Sequence, residues 1–229
     1  MGAEIMQIKI EKIIRSKRKT IALQITDDAT LIVKAPFEVS ENAINNVVNK
    51  HLEWIEKKKK NILARDPKPG KKEFVNGEGF LYLGKSYKLK LVENQTTPLI
   101  FQDNCFFLSR EYQPVAKEIF KNWYNERAKE KISERVAWYA QKRGFAYNKV
   151  NITDTNQRWG SCSAKGNLNF SWRLIMAPLV VIDYVVVHEL VHLEERNHNK
   201  LFWNKVKMLM PDYVKHQEWL KKNGYLLRL

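Results

Sequence analysis

Cysteine is nearly absent from this chain of 229 residues: Cys105 and Cys162 are the only two. The start, Met-Gly-Ala-Glu-Ile-Met-Gln, has no basic region followed by an apolar run, so no secretion leader is expected and both thiols read as reduced groups in a cytoplasmic protein. Long apolar runs are missing as well. The best stretch, 177–187, is broken by Pro178 and Asp183 and falls short of the roughly 18 residues a membrane span needs. There is no Gly-rich phosphate loop, no RNA-binding signature, no zinc-finger spacing, no internal repeat and no low-complexity segment. Acidic residues are scarce: 25 Asp and Glu face 40 Lys and Arg, giving +15 and a pI near 9.7. That imbalance favours a polyanionic partner such as nucleic acid, and it is densest early, in Lys17-Arg18-Lys19, the lysines of 57–60, and Lys68, Lys71 and Lys72. Such runs are most often solvated faces.

What is present is the material of a folded protein, with hydrophobic residues at 44% and aromatics at 11%. Residues 4–15 and 20–25 read as strands, and 30–33 as a third that ends by Pro36. Ser40 caps an expected helix with Ile44, Val47, Val48, Leu52 and Ile55 on one side; the lone His51 on it reads as a surface residue. Asp66-Pro67-Lys68-Pro69-Gly70 reads as a linker, which separates a small strand-and-helix subdomain, 1–66, from a larger domain, 67–229. In the larger part Gly84-Lys85-Ser86 marks a hairpin, and a pair of strands is expected around Asp103-Asn104. An apolar stripe (Val115, Ile119, Tyr124, Ala128, Ile132, Val136, Tyr139) predicts a long helix closed by Gly144. Short strands follow at 150–153 and 167–172, joined by the 158–163 segment. Helices follow near 178–196, 199–210 and 212–223. The fold class expected is α+β.

The chemistry concentrates in Val187-His188-Glu189-Leu190-Val191-His192, an HExxH pattern, with His198 six residues beyond. With 5 histidines in the chain, chance alone would produce HExxH in roughly one such sequence in a hundred. Helical positions four apart share a face, so His188 and His192 can direct two imidazoles at one ion while Glu189 lies beside it, placed to take a proton from water. His198 is the expected third ligand. On a continuous helix it would lie about 15 Å from His188, at ~1.5 Å per residue. The helix must therefore break between Leu193 and His198 and turn back, with Asn197 the residue that best tolerates a left-handed turn. Asp212 or Glu218 is the rival third ligand.

Two blocks, HELVHLEERNHNKLFW (188–203) and QRWGSCSAKGNLNFSWRLIMAP (157–178), with weaker echoes at 15–25, 33–40 and 81–89, resemble the YgjP-like zinc metallopeptidases. These are zincins related to the WLM and SprT-type proteases. The resemblance implies a zincin-like catalytic domain over 67–229, His188, His192 and His198 as zinc ligands, and Glu189 as catalytic acid/base. It also implies that a strand in the 157–178 block lies along the active-site cleft, where a free edge can pair with an extended peptide. The histidine spacing is also that of metzincins, but Glu195 stands at their glycine position and no Met-turn is assignable.

Neutral imidazoles in a tetrahedral set suit Zn²⁺, and hydrolysis needs no redox change. The reaction read from this set is peptide-bond hydrolysis, with protein or peptide as substrate. Arg158, Tyr213 and His216 are candidates for stabilising the oxyanion; Glu194, Glu195, Asp212 and Glu218 are candidates for orienting the imidazoles. Cys162 reads as a small buried thiol rather than a ligand or nucleophile, and Phe202, Trp203 and Trp219 as core. Two other readings compete: zinc-dependent hydrolysis of nucleotide phosphoanhydrides, drawn by the positive charge, and a nucleic-acid-associated module with a structural zinc. The need for Glu189 separates hydrolysis from a structural site.

Overall fold

Leu31, Val33 and Ala35 alternate with Ile32, Lys34 and Pro36, and a period of two sends them to one face of a strand. A computed structural model, which describes residues 8–26, 28–64 and 70–229, shows that strand as the centre of a small sheet. The chain divides into two compact units, Met1–Lys68 and Pro69–Leu229. In the first, β1 (Ile10–Ser16) runs parallel and β2 (Ala22–Ile25) antiparallel to β3 (Leu31–Pro36). Residues 4–7 of the expected first strand, and most of the expected linker, lie outside the described residues. The expected single helix is two: α1 (Glu41–Lys50), capped by the Ser40 side chain, and α2 (Leu52–Leu63). The break is at His51, whose φ of −115° and ψ of 20° leave the helical region. It lets Ile44 and Val48 from one helix and Ile55 from the next reach the core over Leu31, Val33 and Ala35.

The second unit begins with a four-stranded sheet in the order β4-β5-β7-β6. Its strands are β4 (Gly79–Tyr82), β5 (Lys85–Val92), β6 (Leu99–Gln102) and β7 (Cys105–Ser109). Leu83 and Gly84, at φ 48° and 82°, form the two-residue turn between β4 and β5. Such a φ is strained for leucine, and it is held from outside: the N–H groups of Leu83 and Gly84 donate to the carbonyls of Ile175 and Met176 at 2.9 and 3.0 Å. A methyl group on Gly84 would fall 2.7 Å from Pro178 Cγ. The hairpin thus seats directly on the segment that starts the helix bearing HExxH.

α3 (Ala116–Arg143), preceded by a 3-10 turn over Arg110–Val115, supplies the backing helix and ends on Gly144 at φ 72°. Its buried face runs through Ala116, Phe120, Tyr124, Ala128, Ile132, Val136 and Ala140. The expected stripe holds in the middle and shifts by one at the ends, where Val115 is exposed. The third sheet, in the order β8-β10-β9, contains β8 (Lys149–Thr153), β9 (Gly160–Cys162) and β10 (Asn167–Ser171). The 158–163 segment, expected as a connection, therefore holds a strand of its own, at the sheet's edge. α4 (Leu179–Val191) follows, then α5 (Lys200–Leu209) under an Asn199 cap, and α6 (Tyr213–Asn223).

α4 is rich in valine and isoleucine, each of which costs roughly 0.5 kcal/mol of helix propensity relative to alanine. Full burial of such a side chain is worth about 1.5–3 kcal/mol, so packing wins. From Val181 to Val191 only His188 is not fully buried. Asp183 is the one charge in the first half of that run, and Arg135 of α3 meets it with two hydrogen bonds, Nε to Oδ1 at 2.6 Å and Nη2 to Oδ2 at 2.9 Å. Removing one partner of a buried pair strands the other, typically at a cost of about 3–5 kcal/mol. Asp183→Ala should accordingly lower the unfolding free energy by about 3 kcal/mol. Denaturant titration followed by tryptophan fluorescence reads this, because six of the seven tryptophans belong to the second unit.

A second ion group anchors the loop between β8 and β9. Asp154 accepts from Trp172 Nε1 at 2.8 Å and Arg173 Nη1 at 2.7 Å, and lies 2.9 Å from Lys121 Nζ. Burial pushes its carboxyl upward, but hydrogen bonds from Lys121, Trp172 and Arg173 outweigh that and hold it at about 2, against 3.8. A depressed carboxyl contributes stability above its unfolded pKa and loses it as pH falls through the folded one. Between pH 4 and pH 2 the wild type should therefore lose more melting temperature than Asp154→Asn; equal losses would show that the cluster carries no such linkage.

Candidate metal centre

HExxH sits on the last turn of α4, and the helix stops at Val191, with His192 as its C-cap. This is earlier than the expected end near 196. Three hydrogen bonds to the carbonyls of Leu190 and Val191, from the N–H groups of Leu193, Glu194 and Glu195, turn the chain away. No left-handed residue is involved: Asn197 is absent from the positive-φ positions of the described residues. The return brings His198 beside the other two histidines. His198 Nε2 lies 2.9 Å from His188 Nε2 and 3.1 Å from His192 Nε2. Asn199 then caps α5, its side chain accepting from Phe202 N–H, and Phe202 packs under all three imidazoles with ring centroids 4.6–4.9 Å away.

Three ring nitrogens facing one another cannot all be satisfied as hydrogen bonds. His192 Nδ1 lies 2.9 Å from the Glu195 carbonyl, which only accepts, so Nδ1 carries the proton and Nε2 presents a bare lone pair inward. Burial first, then the neighbouring imidazoles, lower His188 to about 3. Burial also lowers His192, partly offset by that carbonyl. Neutral imidazoles with lone pairs converging is the condition a metal requires. In a tetrahedral set with metal–nitrogen bonds of about 2.0–2.1 Å, adjacent nitrogens are roughly 3.3 Å apart, so the observed spacing opens to it by a few tenths of an ångström. The three histidines are the one group of three metal-ligating side chains so arranged among the described residues. The donor set fits a borderline-soft divalent ion.

Glu189 is not part of the histidine group, and its carboxylate lies against β9. A methyl group on Gly160 would fall 2.6 Å from Glu189 Oε1, so only glycine admits the carboxylate there. The residue is buried, its Oε2 has no hydrogen-bond partner, and burial pushes the carboxyl up to about 8, with the Arg158 guanidinium pulling the other way.

The other expected residues are distributed as follows. Asp212 lies 3.4 Å from His216 Nε2, and neither Asp212 nor Glu218 joins the histidine cluster. The carboxylates of Glu194 and Glu195 are both held by Lys205 Nζ, at 2.8 and 2.9 Å, so a backbone carbonyl and not a carboxylate orients His192. Tyr213 stacks between Trp203 and Tyr184, and Trp203 in turn lies on His198. Phe202 is fully buried, whereas Trp203 and Trp219 are half-buried. Cys162 is half-buried and its thiol is pushed up by burial.

Two contributors were not anticipated. Gly160 had a legible signal, since a glycine inside a strand often marks a close approach. Arg196 had none. Its guanidinium donates to the carbonyls of Ser163 and Ala164 at 2.8 and 3.2 Å, fastening the loop that delivers His198 to the turn between β9 and β10. Arg196→Ala should weaken divalent-metal binding by about tenfold or more, as removal of supporting contacts around ligands typically does. The melting temperature of the metal-free protein should change little. Competition with a chromophoric chelator checks this, and unchanged affinity would show that the loop holds its shape without the clamp.

A helix end and a returning loop bring together three histidines that could hold a metal ion, beside a glycine-seated carboxylate. The chain belongs to the YgjP-like family: the model of the YgjP-like metallopeptidase domain matches residues 19–223. It is thus a metallopeptidase, a hydrolase of peptide bonds that works with a metal. Among solved structures, the metallopeptidase zymogen abylysin of Pyrococcus abyssi is similar at 18% identity, covering 42% of this chain and 96% of its own, with a TM-score of 0.38. The metallopeptidase zymogen jannalysin of Methanocaldococcus jannaschii is similar at 15% identity, covering 41% and 96%, with a TM-score of 0.34. No curated protein matches. No helix among the described residues is long and apolar enough to cross a membrane.

Proposed function

We propose that this metallopeptidase is zinc-dependent, with His188, His192 and His198 as the ligands and Glu189 as general base and then general acid. The observation that carries the reading is the convergence of three imidazoles, with His198 Nε2 within hydrogen-bond range of both His188 Nε2 and His192 Nε2, next to a buried carboxylate whose Oε2 has no partner. Zinc held there supplies Lewis-acid polarisation of the scissile carbonyl and acidifies a water.

The chain's own residues do the rest. Glu189 cannot be a fourth ligand while it is seated against Gly160, and its unpaired Oε2 is the proton acceptor in the site. Having taken the water's proton, it delivers it to the leaving amine, so no net charge accumulates on the carboxyl over the cycle. The buried surroundings of α4 raise the carboxyl's basicity, and the Arg158 guanidinium opposes that rise. The indole of Trp203 and the ring of Phe202 hold the His198 and His192 imidazoles in place, which removes rotational freedom before substrate arrives.

Glu189→Gln keeps the size and polarity of the side chain but accepts no proton. It should retain zinc, near one per chain, and fold normally while losing at least about a hundredfold in kcat/KM. His198→Ala should instead lose most of the metal, measured by elemental analysis after gel filtration. A Glu189→Gln enzyme as fast as the wild type would remove the acid/base assignment, and full zinc retention in His198→Ala would move the third ligand elsewhere. A wild type that splits nucleotide phosphoanhydrides but no peptide would leave the metal site standing and overturn the mechanism drawn for it.

A further inference from the structure

We propose that the cavity on the outer face of β9 is a carboxylate-binding subsite, organised by Arg158, which selects peptide substrates with an acidic side chain flanking the scissile bond. The inference rests on the peptidase reading above and adds a substrate class to it.

β9 is an edge strand one residue thick between two environments. Gly160 and Cys162 lie opposite Phe170 and Leu168, facing the core and α4; Gly160 is the residue on which Glu189 rests. Ser161, between them, lies opposite Asn169 and faces the other way. On that other face is a cavity of about 220 Å³ lined by Thr153, Thr155, Arg158, Gly160, Ser161 and Asn169.

The hydrogen bonds of its lining leave two hydroxyl hydrogens and one guanidinium unspent. Asn169 accepts from Asn151 Nδ2 at 2.9 Å, and its own amide nitrogen is directed at Ser161 O and Oγ, both at 3.4 Å. The Thr153 hydroxyl donates to Phe170 O at 3.2 Å. The oxygens of Thr155 and Ser161 act as acceptors, from Gln157 N–H at 3.3 Å and from Asn169, and their hydroxyl hydrogens remain. Arg158 adds five N–H donors and a fixed positive charge. No carboxylate lines the cavity; the Arg158 guanidinium acts on Glu189 only through its field, and among the described residues no carboxylate forms an ion pair with it. The loop is held for this purpose at both ends of its first turn: Asp154 by Trp172, Arg173 and Lys121, and the Thr155 carbonyl by the Ser171 hydroxyl at 2.9 Å. A cavity with one guanidinium, two available hydroxyl hydrogens and no carboxylate in its lining favours an anionic acceptor, and a planar carboxylate is the partner that guanidinium fits best.

Its position decides where that carboxylate comes from. The outer edge of β9 is unpaired among the described strands, and an extended peptide that adds to a free edge sends alternate side chains to opposite faces. The face carrying Glu189 receives the scissile bond; the neighbouring side chain then projects over the face where Arg158, Ser161 and Thr155 lie. A glutamate or aspartate there is met by charge and hydrogen bonds together.

The test uses zinc-loaded full-length enzyme and pairs of fluorogenic peptides that differ only by Glu against Gln at each position flanking the cleaved bond. The wild type should prefer Glu at one position by about tenfold or more in kcat/KM, the scale of a charge-assisted hydrogen bond. Arg158→Gln should bring that ratio close to one, Arg158→Lys should restore part of it, and Ser161→Ala should reduce it less. A wild type indifferent to charge at every flanking position, or a preference that survives in Arg158→Gln, overturns the subsite. Binding is measured separately, by fluorescence anisotropy of the labelled Glu and Gln peptides on zinc-loaded Glu189→Gln protein with and without Arg158→Gln. Arg158-dependent discrimination there, with no cleavage by the wild type, supports the subsite while the peptidase reading fails. Equal binding of the two peptides overturns the subsite even if both are cleaved. Arg158-dependent binding of a nucleoside triphosphate with no discrimination between peptides overturns the assignment to peptide.

Discussion

Burial of α4 on every side from Val181 onward is the constraint on which the second unit is built. An amphipathic helix needs one apolar partner; a helix apolar all round needs partners on all faces. α3, the Trp172–Met176 turn, β9, α5 and α6 all pack against it. The Leu83-Gly84 turn is locked onto the backbone just before it begins. The enclosure has a chemical consequence: the far end of the helix carries His188 and Glu189 into surroundings where a charged imidazole is disfavoured and a carboxylate is unusually basic. The same packing that stabilises the helix sets the protonation of both groups.

The site is assembled from pieces with different rigidity. His188 and Glu189 belong to a buried helix and have little freedom. His192 is at its cap, oriented by a backbone carbonyl three residues on. His198 is exposed, and its placement depends on what fastens its loop: Arg196 to the β9–β10 turn, Lys205 to Glu194 and Glu195, and the Asn199 cap that starts α5. Because Arg196 reaches across to the turn after Cys162, the loop that delivers the third imidazole and the strand that supports Glu189 are tied into one frame. Charged residues in the 188–203 block therefore act mainly on the backbone and on one another, not on the imidazoles.

Much of this was legible before any coordinates. HExxH with a sixth-residue histidine implied a helix, a break and a return; the Gly84 turn, the Gly144 stop and the Asn199 and Ser40 starts are local rules obeyed where they are written. The failures have physical reasons. His51 interrupts what periodicity read as a single helix, because two shorter helices wrap the small sheet better than a straight one. The chain turns without a left-handed residue at Asn197, because three ordinary helix-end hydrogen bonds do it. The 158–163 segment was read as a connection because three residues of strand, one of them glycine, are too short to show an alternating pattern.

The sequence by itself determined that His188 and His192 share one helix face with Glu189 beside them, since spacing along a helix is set by its 3.6-residue turn and needs nothing from the rest of the chain. It also determined the family, through two blocks whose residues stand in fixed order. Only the tertiary structure decided that Gly160 is the seat of Glu189, that lysine and not histidine takes the carboxylates of Glu194 and Glu195, and that Arg158 lines a cavity that holds no carboxylate. These are contacts between residues 29, 10–11 and 2–11 positions apart, on different strands, helices and loops. No local rule relates such positions; they meet because a helix that must be buried on all sides draws the sheet edge and the returning loop against it.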